Sequence, residues 1–113
     1  FTGIDLQGVL DASDITLPTA VPGTYTGAQA GQNLDLNASG STPGSEGLYE
    51  KGYLWYLIKR PAASQLILNG APGLPNRTIM PDLPGEYTFG LRVHGSSGKF
   101  LYSDEATVNV TVQ

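Results

Sequence analysis

The strongest constraint on the fold is a turn that leads directly into an alternating run of residues. The turn is Pro-Asp-Leu-Pro-Gly at positions 81–85, and the large apolar residues after it are Tyr87, Phe89, Leu91 and Val93. Apolar residues at every second position after a turn indicate a half-buried β-strand. The Asp-x-x-Gly-x-Tyr spacing is also that of a tyrosine corner, in which the ring packs inside and its hydroxyl bonds the backbone upstream. We therefore predict that this segment is a central strand, with Tyr87, Phe89 and Leu91 in the core.

Short runs with similar alternation occupy much of the remaining chain. In chain order they cover residues 4–6, 15–17, 32–38, 53–59, 65–68, 78–80, 99–102 and 106–112, with a bulge predicted at 103–105. Turn-forming sequences separate them, and 15 Gly with 8 Pro in 113 residues favour short strands over helices. The sequence thus predicts an all-β antiparallel sandwich of about seven to nine strands. We assign residues 1–20 to a lead-in segment of edge strands and residues 21–113 to the sandwich.

The most hydrophobic run is Tyr-Leu-Trp-Tyr-Leu-Ile-Lys at positions 53–59. A single Trp in a mid-chain strand of a sandwich is usually a core residue, so we place Trp55 and Tyr53 inside. Alternation then puts Leu54, Tyr56 and Ile58 on the opposite face. Three such side chains exposed in a row would exceed ordinary surface scatter.

The strand that contains Phe89 presents Gly90 and Arg92 on the same outward side. Tyr56 is expected to cover the bare backbone of Gly90, and Arg92 is expected to stack on the Tyr56 ring. Two interpretations stay open. Either residues 1–20 or the 65–68 strand cover this face, or the face is a docking surface for another subunit or domain. The candidate interaction residues are Leu54, Tyr56, Ile58, Gly90 and Arg92, and a sugar platform on Tyr56 is a further alternative.

Three blocks of the chain, in this order, carry a family resemblance. They are Leu-Asp-Leu-Asn-Ala-Ser-Gly-Ser at 34–41, Tyr-Leu-Trp at 53–55 with Arg-Pro-Ala-Ala-Ser at 60–64, and residues 81–93 with Ser103-Asp104 and the Val-rich end. Together they resemble the polycystic-kidney-disease (PKD) type of immunoglobulin-like domain, over roughly residues 27–113. The resemblance implies an immunoglobulin-like sandwich that acts as a non-catalytic extracellular spacer, adhesive unit or accessory module. Pro43-Gly44-Ser45 stand where the family often has acidic residues, which weakens any transfer of the calcium site known in some members.

The residue inventory argues against catalysis. The absence of cysteine excludes disulfides, thiolate metal sites and a cysteine nucleophile. The only histidine, His94, is predicted to be solvated in a hairpin loop, with no partners for nucleophilic chemistry. Asp104 and Glu105 are adjacent and face opposite ways on a strand, so they form no acid/base pair. No cofactor is predicted; calcium at Asp5, Asp11 and Asp14 is the one open possibility, against solvated turn residues, and Asp82 is expected to accept hydrogen bonds in its turn.

Charge and chain ends restrict the partners. A net charge of −4 with scattered basic residues argues against nucleic acid and anionic membrane surfaces. No apolar run approaches the roughly 18 residues of a membrane span, and a start at Phe1 without a signal peptide suggests a processed product or an excised domain. We expect a non-catalytic extracellular, cell-surface or virion-surface module for adhesion, display or protein assembly, with a protein partner or neighbouring subunit. The alternatives are a structural subunit of a repeating assembly and a polysaccharide- or protein-binding accessory domain of a secreted hydrolase.

Overall fold

The fold consists of two antiparallel sheets. The computed structural model describes residues 16–68, 72–95 and 102–113. Its strands are β1 (Leu34–Asn37), β2 (Tyr53–Lys59), β3 (Asn76–Ile79), β4 (Gly85–Val93) and β5 (Ala106–Val112). One sheet pairs β1 with β3, and the other has the order β2-β4-β5. The predicted all-β architecture is confirmed, although the described residues contain five strands rather than seven to nine.

The core lies between the sheets and is built by alternate residues. The inward residues of β4, together with Trp55 of β2, are almost completely buried. The remaining core residues on the strands are Tyr53 of β2 and, on β1, β3 and β5, Leu34, Leu36, Ile79, Val108, Val110 and Val112. The Trp55 indole N–H donates a hydrogen bond to the Pro75 carbonyl at 3.0 Å, which satisfies the polar edge of a buried ring. Trp55 therefore links the three-stranded sheet to the segment that leads into β3.

The predicted tyrosine corner is formed at the start of β4. The buried Tyr87 hydroxyl donates to the Leu83 carbonyl at 2.8 Å and accepts from the Leu83 N–H at 3.3 Å. Beside it, the Asp82 carboxylate accepts hydrogen bonds from the Gln65 N–H at 2.8 Å and the Ser64 hydroxyl at 2.5 Å. The corner thus ties β4 to the segment that follows β2.

Acid is expected to weaken this connection. The backbone N–H of Gln65 and the Ser64 hydroxyl lower the pKa of Asp82 below its usual value, because both stabilise the carboxylate. A lowered pKa in the folded state means that the stabilisation is complete above the unfolded pKa of about 3.9 and is lost as pH falls through the folded pKa. Between neutral pH and pH about 3, wild type should therefore lose more thermal stability than the Asp82→Asn variant. An equal loss of thermal stability on acidification in the two proteins would show that the Asp82 carboxylate does not stabilise the fold.

The segment 65–68, predicted as a strand, joins neither sheet. Side chains bond its backbone instead: Asp82 accepts the Gln65 N–H, and the Ser64 hydroxyl accepts the Leu66 N–H at 3.2 Å. The Arg60 guanidinium donates to the Leu66 carbonyl at 2.6 Å. Such local side-chain bonds compete with a strand ladder, which explains the error.

Other differences concern the ends of the chain and a bulge. The predicted edge strand at 4–6 and residue 15 lie outside the described residues, and residues 16 and 17 form no strand. From residue 16 to β1 the chain makes single bridges, Thr19 with Thr42 and Ala28 with Val112. The last strand begins at Ala106; most of the predicted strand at 99–102 lies outside the described residues. The β4–β5 register ends at Leu91 opposite Ala106, and the next bridge joins His94 to Tyr102. Residues 103–105 therefore face only two residues of β4, and this one extra residue agrees with the predicted bulge. A second bulge is in β2, where pairing moves from Leu57 opposite Phe89 to Lys59 opposite Thr88, which leaves Ile58 as the extra residue. The division at residue 20 stays a prediction.

Candidate functional site

The outer face of the three-stranded sheet collects four of the five candidate interaction residues. The β2–β4 register places Leu54 opposite Arg92 and Tyr56 opposite Gly90. Leu54 and Tyr56 are half-buried, Arg92 is exposed and Gly90 is buried. We call Leu54, Tyr56, Gly90, Arg92 and the nearby Glu105 the Tyr56 face.

Tyr56 lies across the backbone of Gly90, as the sequence predicts. A Cβ atom on Gly90 would come within 2.5 Å of the Tyr56 Cζ atom, far inside van der Waals contact. Glycine therefore lets the ring settle onto the sheet, and the ring in turn covers a strand position that has no side chain of its own. The aromatic ring is held at a defined place on the outer face.

Charged groups on either side fix the Tyr56 hydroxyl. The hydroxyl donates a hydrogen bond to the Glu105 carboxylate, and the Arg92 guanidinium is hydrogen-bonded to it as well. Partial burial, followed by the bond to Glu105, raises the pKa of Tyr56. The bond to Tyr56 raises the pKa of Arg92. At physiological pH Tyr56 therefore stays neutral and Arg92 stays cationic. The predicted stacking of Arg92 on the ring stays a prediction.

Sequence reasoning missed Glu105. This residue precedes β5 and meets Tyr56 across 49 positions of sequence. Neither strand alternation nor a local motif indicates such a contact, because it depends on how the chain approaches β5.

Ile58 lies apart from this arrangement. As the bulged residue of β2 it is 48% exposed, and it borders a groove of about 300 Å³ at the end of the strand. The groove is lined by Leu57, Ile58, Lys59, Arg60, Leu66, Ile67 and Leu68. The segment 65–68 therefore borders the end of β2 and does not line the Tyr56 face. Of residues 1–20, the other predicted cover, residues 1–15 lie outside the described part of the chain.

His94 is a buried residue and not the solvated loop residue that the sequence predicts. Its ring stacks on Tyr49 at 5.5 Å between centroids and meets Tyr102 edge-on at 4.9 Å. The Nδ1 atom lies 2.8 Å from the Gly95 carbonyl oxygen. A Cβ on Gly52 would come within 2.9 Å of Nε2, so the glycine admits the ring. The prediction failed because the bridge between His94 and Tyr102 draws the loop base into the sandwich.

The described residues show no metal cluster. Among them, no three or more His, Asp or Glu side chains are grouped so as to hold a metal ion. The predicted calcium candidates Asp5, Asp11 and Asp14 lie outside the described part. In the ranges that the structure describes, no helix is long and apolar enough to cross a membrane.

Comparison with known proteins identifies the fold. No family model matches the chain, and no curated protein matches it. Among solved structures, the solution structure of the PKD domain from KIAA 1837 protein is similar, with a TM-score of 0.61 and 25% identity, over 84% of this chain and 85% of that chain. A nucleoside hydrolase-related hypothetical protein from Saccharophagus degradans, described as associated with carbohydrate metabolism, has a TM-score of 0.57 and 22% identity over 85% of this chain and 25% of that one.

The first similarity spans most of both chains, and it agrees with the resemblance carried by the Tyr-x-Trp strand and the tyrosine corner. The PKD domain is a non-catalytic module. This chain therefore has the fold of a PKD domain, an immunoglobulin-like β-sandwich.

Proposed function

We propose that this domain is a non-catalytic binding module of a secreted or surface-displayed protein, and that it engages a protein partner or neighbouring domain through the Tyr56 face. The observation that carries the proposal is the fixation of Tyr56. Its ring rests on Gly90 and its hydroxyl is held by Glu105 and Arg92 on an outer sheet face. A side chain fixed before binding loses little conformational freedom in the complex.

The composition of the Tyr56 face favours a protein partner. Tyr and Arg are the residue types most enriched at energetically dominant positions of protein interfaces. Here a half-buried Leu54 lies opposite an exposed Arg92, with the Tyr56 ring beside them. An apolar centre with a charged margin is the usual anatomy of such an interface. The same surface would serve a subunit of a repeating assembly.

Glycan binding is the second candidate. One side of the Tyr56 ring covers Gly90, which leaves the opposite side for stacking of a sugar ring. The similarity to a protein associated with carbohydrate metabolism, at a quarter of that chain's length, supports an accessory role of this kind.

The Tyr56→Ser variant tests the proposal. A photoreactive benzoylphenylalanine at position 54 should cross-link the domain to a discrete protein in the extracellular fraction of the producing organism. Tyr56→Ser should lower the yield at least about fivefold, because truncation of an energetically dominant interface Tyr costs more than about 1 kcal/mol. Tyr56→Phe keeps the ring on Gly90 and should retain most of the yield. The same probe at exposed Asn76 on β3 is the control.

Two results would contradict the protein-binding proposal. One is equal cross-linking from positions 54 and 76, and the other is an unchanged yield in Tyr56→Ser. Retention of the domain on a glycan array that Tyr56→Ser abolishes would identify the second candidate instead.

A further inference from the structure

The groove at the end of β2 is apolar and open to solvent. Its two walls include Ile58, which is 48% exposed, and Ile67, which is 75% exposed. Leu57, Leu66 and Leu68 complete the apolar surface and connect it to the core. A ligand that covers the two isoleucines removes apolar area from water and gains free energy from that burial. The volume of about 300 Å³ accepts the side chains of a short segment rather than a folded surface.

The charged residues that line the groove are all basic. Lys59 and Arg60 line it, and no Asp or Glu of the described ranges does. The Arg60 guanidinium is held at the groove by its bond to the Leu66 carbonyl at 2.6 Å. The chain as a whole has a net charge of −4, so the groove is a local exception. It therefore favours a segment that combines aliphatic side chains with carboxylates and lacks basic residues.

Residues 1–15 of the chain have this composition. They contain Asp5, Asp11 and Asp14 and neither Lys nor Arg. Within them, Ile-Asp-Leu at positions 4–6 has a carboxylate between two branched aliphatic residues, the alternation that predicts an edge strand. Residues 4–6 therefore match the groove in both apolar character and charge.

Thr16 lies near the end of the sandwich opposite the groove. Its carbonyl accepts from the Ser45 N–H at 2.9 Å, and in the same loop the Tyr49 N–H donates to the His94 carbonyl at 3.1 Å. His94 comes directly after β4, whose last residue, Val93, pairs with the first residue of β2. The groove lies at the other end of β2. That strand has 7 residues, so its two ends are about 20 Å apart.

The chain after Thr16 runs towards the groove end. It reaches the bridge of Ala28 with Val112, and Val112 is opposite Gly85, the first residue of β4. Because β2 and β4 are antiparallel, the first residues of β4 lie beside the last residues of β2. Followed in the reverse direction, the chain therefore leads away from the groove. This direction favours contact of the preceding segment with a second copy of the chain over contact with its own groove.

We propose that residues 4–6 of one copy of this chain bind the groove at the end of β2 of a second copy. The two aliphatic side chains cover the exposed isoleucines, and the Asp5 carboxylate meets Lys59 at the margin. The binding segment and the groove belong to opposite ends of the sandwich, so the contact is heterologous and each copy joins two others head to tail. The groove is separate from the Tyr56 face, and this assembly goes beyond the proposed function.

Disulfide trapping tests the contact, because the chain has no cysteine of its own. The full chain carries Leu6→Cys together with Ile67→Cys, and the high exposure of Ile67 lets the variant keep its fold. Oxidation at increasing protein concentration should give a series of covalent multimers on a non-reducing gel. The matched control combines Leu6→Cys with Asn76→Cys, an exposed position on β3. It should give at least about tenfold less multimer, which corresponds to a preference of about 1.4 kcal/mol.

Exchange of two charges provides a second test. Lys59→Glu in the same double-cysteine chain should lower the multimer yield about fivefold, the factor that corresponds to about 1 kcal/mol. Addition of Asp5→Lys should restore the yield, which a variant that had lost its fold could not do. A monomer oxidised within one chain would show that the segment binds its own groove. That result, equal multimer yields from positions 67 and 76, or no recovery on the charge exchange would each overturn the proposal.

Discussion

Trp55→Ala is expected to lower the free energy of unfolding by about 3–5 kcal/mol. The indole is 1% exposed in the centre of the core, so truncation removes its packing against β4 and leaves a cavity between the sheets. The substitution also leaves the Pro75 carbonyl without the indole N–H that bonds it at 3.0 Å. Both effects act in the same direction.

Equilibrium unfolding in urea, followed by far-ultraviolet circular dichroism, measures this loss. Trp55→Phe is the matched control, because it keeps an aromatic ring and loses only part of the volume and the N–H donor. It should retain more stability than Trp55→Ala. A loss below about 1 kcal/mol for Trp55→Ala, the size expected of a surface position, would contradict the packing described for this ring.

Tyr87→Phe is expected to cost about 1–3 kcal/mol, the penalty for leaving a buried polar group without its partner. The hydroxyl bonds both the carbonyl and the N–H of Leu83, and the ring around it is fully buried. Phenylalanine fills the same space and removes only the hydroxyl, with these bonds and its longer ones, at 3.4 Å, to Ser64 Oγ and Asp82 Oδ1. The same urea titration measures the difference.

Tyr25→Phe is the variant to compare with Tyr87→Phe, because it also removes a hydroxyl that bonds a backbone carbonyl and a backbone N–H. The Tyr25 hydroxyl donates to the Pro22 carbonyl at 2.6 Å and accepts from the Asn37 N–H at 2.7 Å. Tyr25 is only partly buried, so water can replace the lost hydroxyl more easily than at Tyr87. Tyr25→Phe should therefore be the milder variant. Equal losses at the two positions would mean that burial does not decide the cost of removing the hydroxyl.

Alternation and turn chemistry predicted the centre of the fold well. The inward residues of β4 recur at every second position, and only one register buries all of them. The Tyr56–Gly90 contact could be anticipated for the same reason, since one alternating strand placed against another fixes which residues share a face. The corner was predictable because its hydrogen bonds are local, between Tyr87 and Leu83.

The failures concern contacts and irregularities that strand alternation does not encode. The 65–68 segment has strand-like residues, but Asp82 and Arg60 bond its backbone. The bond from Tyr56 to Glu105 and the burial of His94 likewise depend on how the chain approaches β5. The bulge at Ile58 has no local signal such as glycine, so the outward face of β2 was predicted one residue too long.

Function follows less directly than the fold, because one fold supports many functions. The PKD fold supports a non-catalytic module, and the particular residues of the outer face support the choice of binding surface. A single strand pair, β2 with β4, carries both features. Its inward residues hold the sandwich together, and its outward residues form the Tyr56 face.

The assignment of one face of β2 to the core and the other to binding is tested most directly by one urea titration. The titration compares Tyr56→Ser with Trp55→Ala. The residues are neighbours in sequence but lie on opposite faces of the sheet. Tyr56→Ser should stay within about 1 kcal/mol of wild type, since it removes a cross-strand contact on an outer face, while Trp55→Ala should lose about 3–5 kcal/mol. A loss for Tyr56→Ser as large as that for Trp55→Ala would mean that Tyr56 is an internal residue, and its face would then be unavailable for binding.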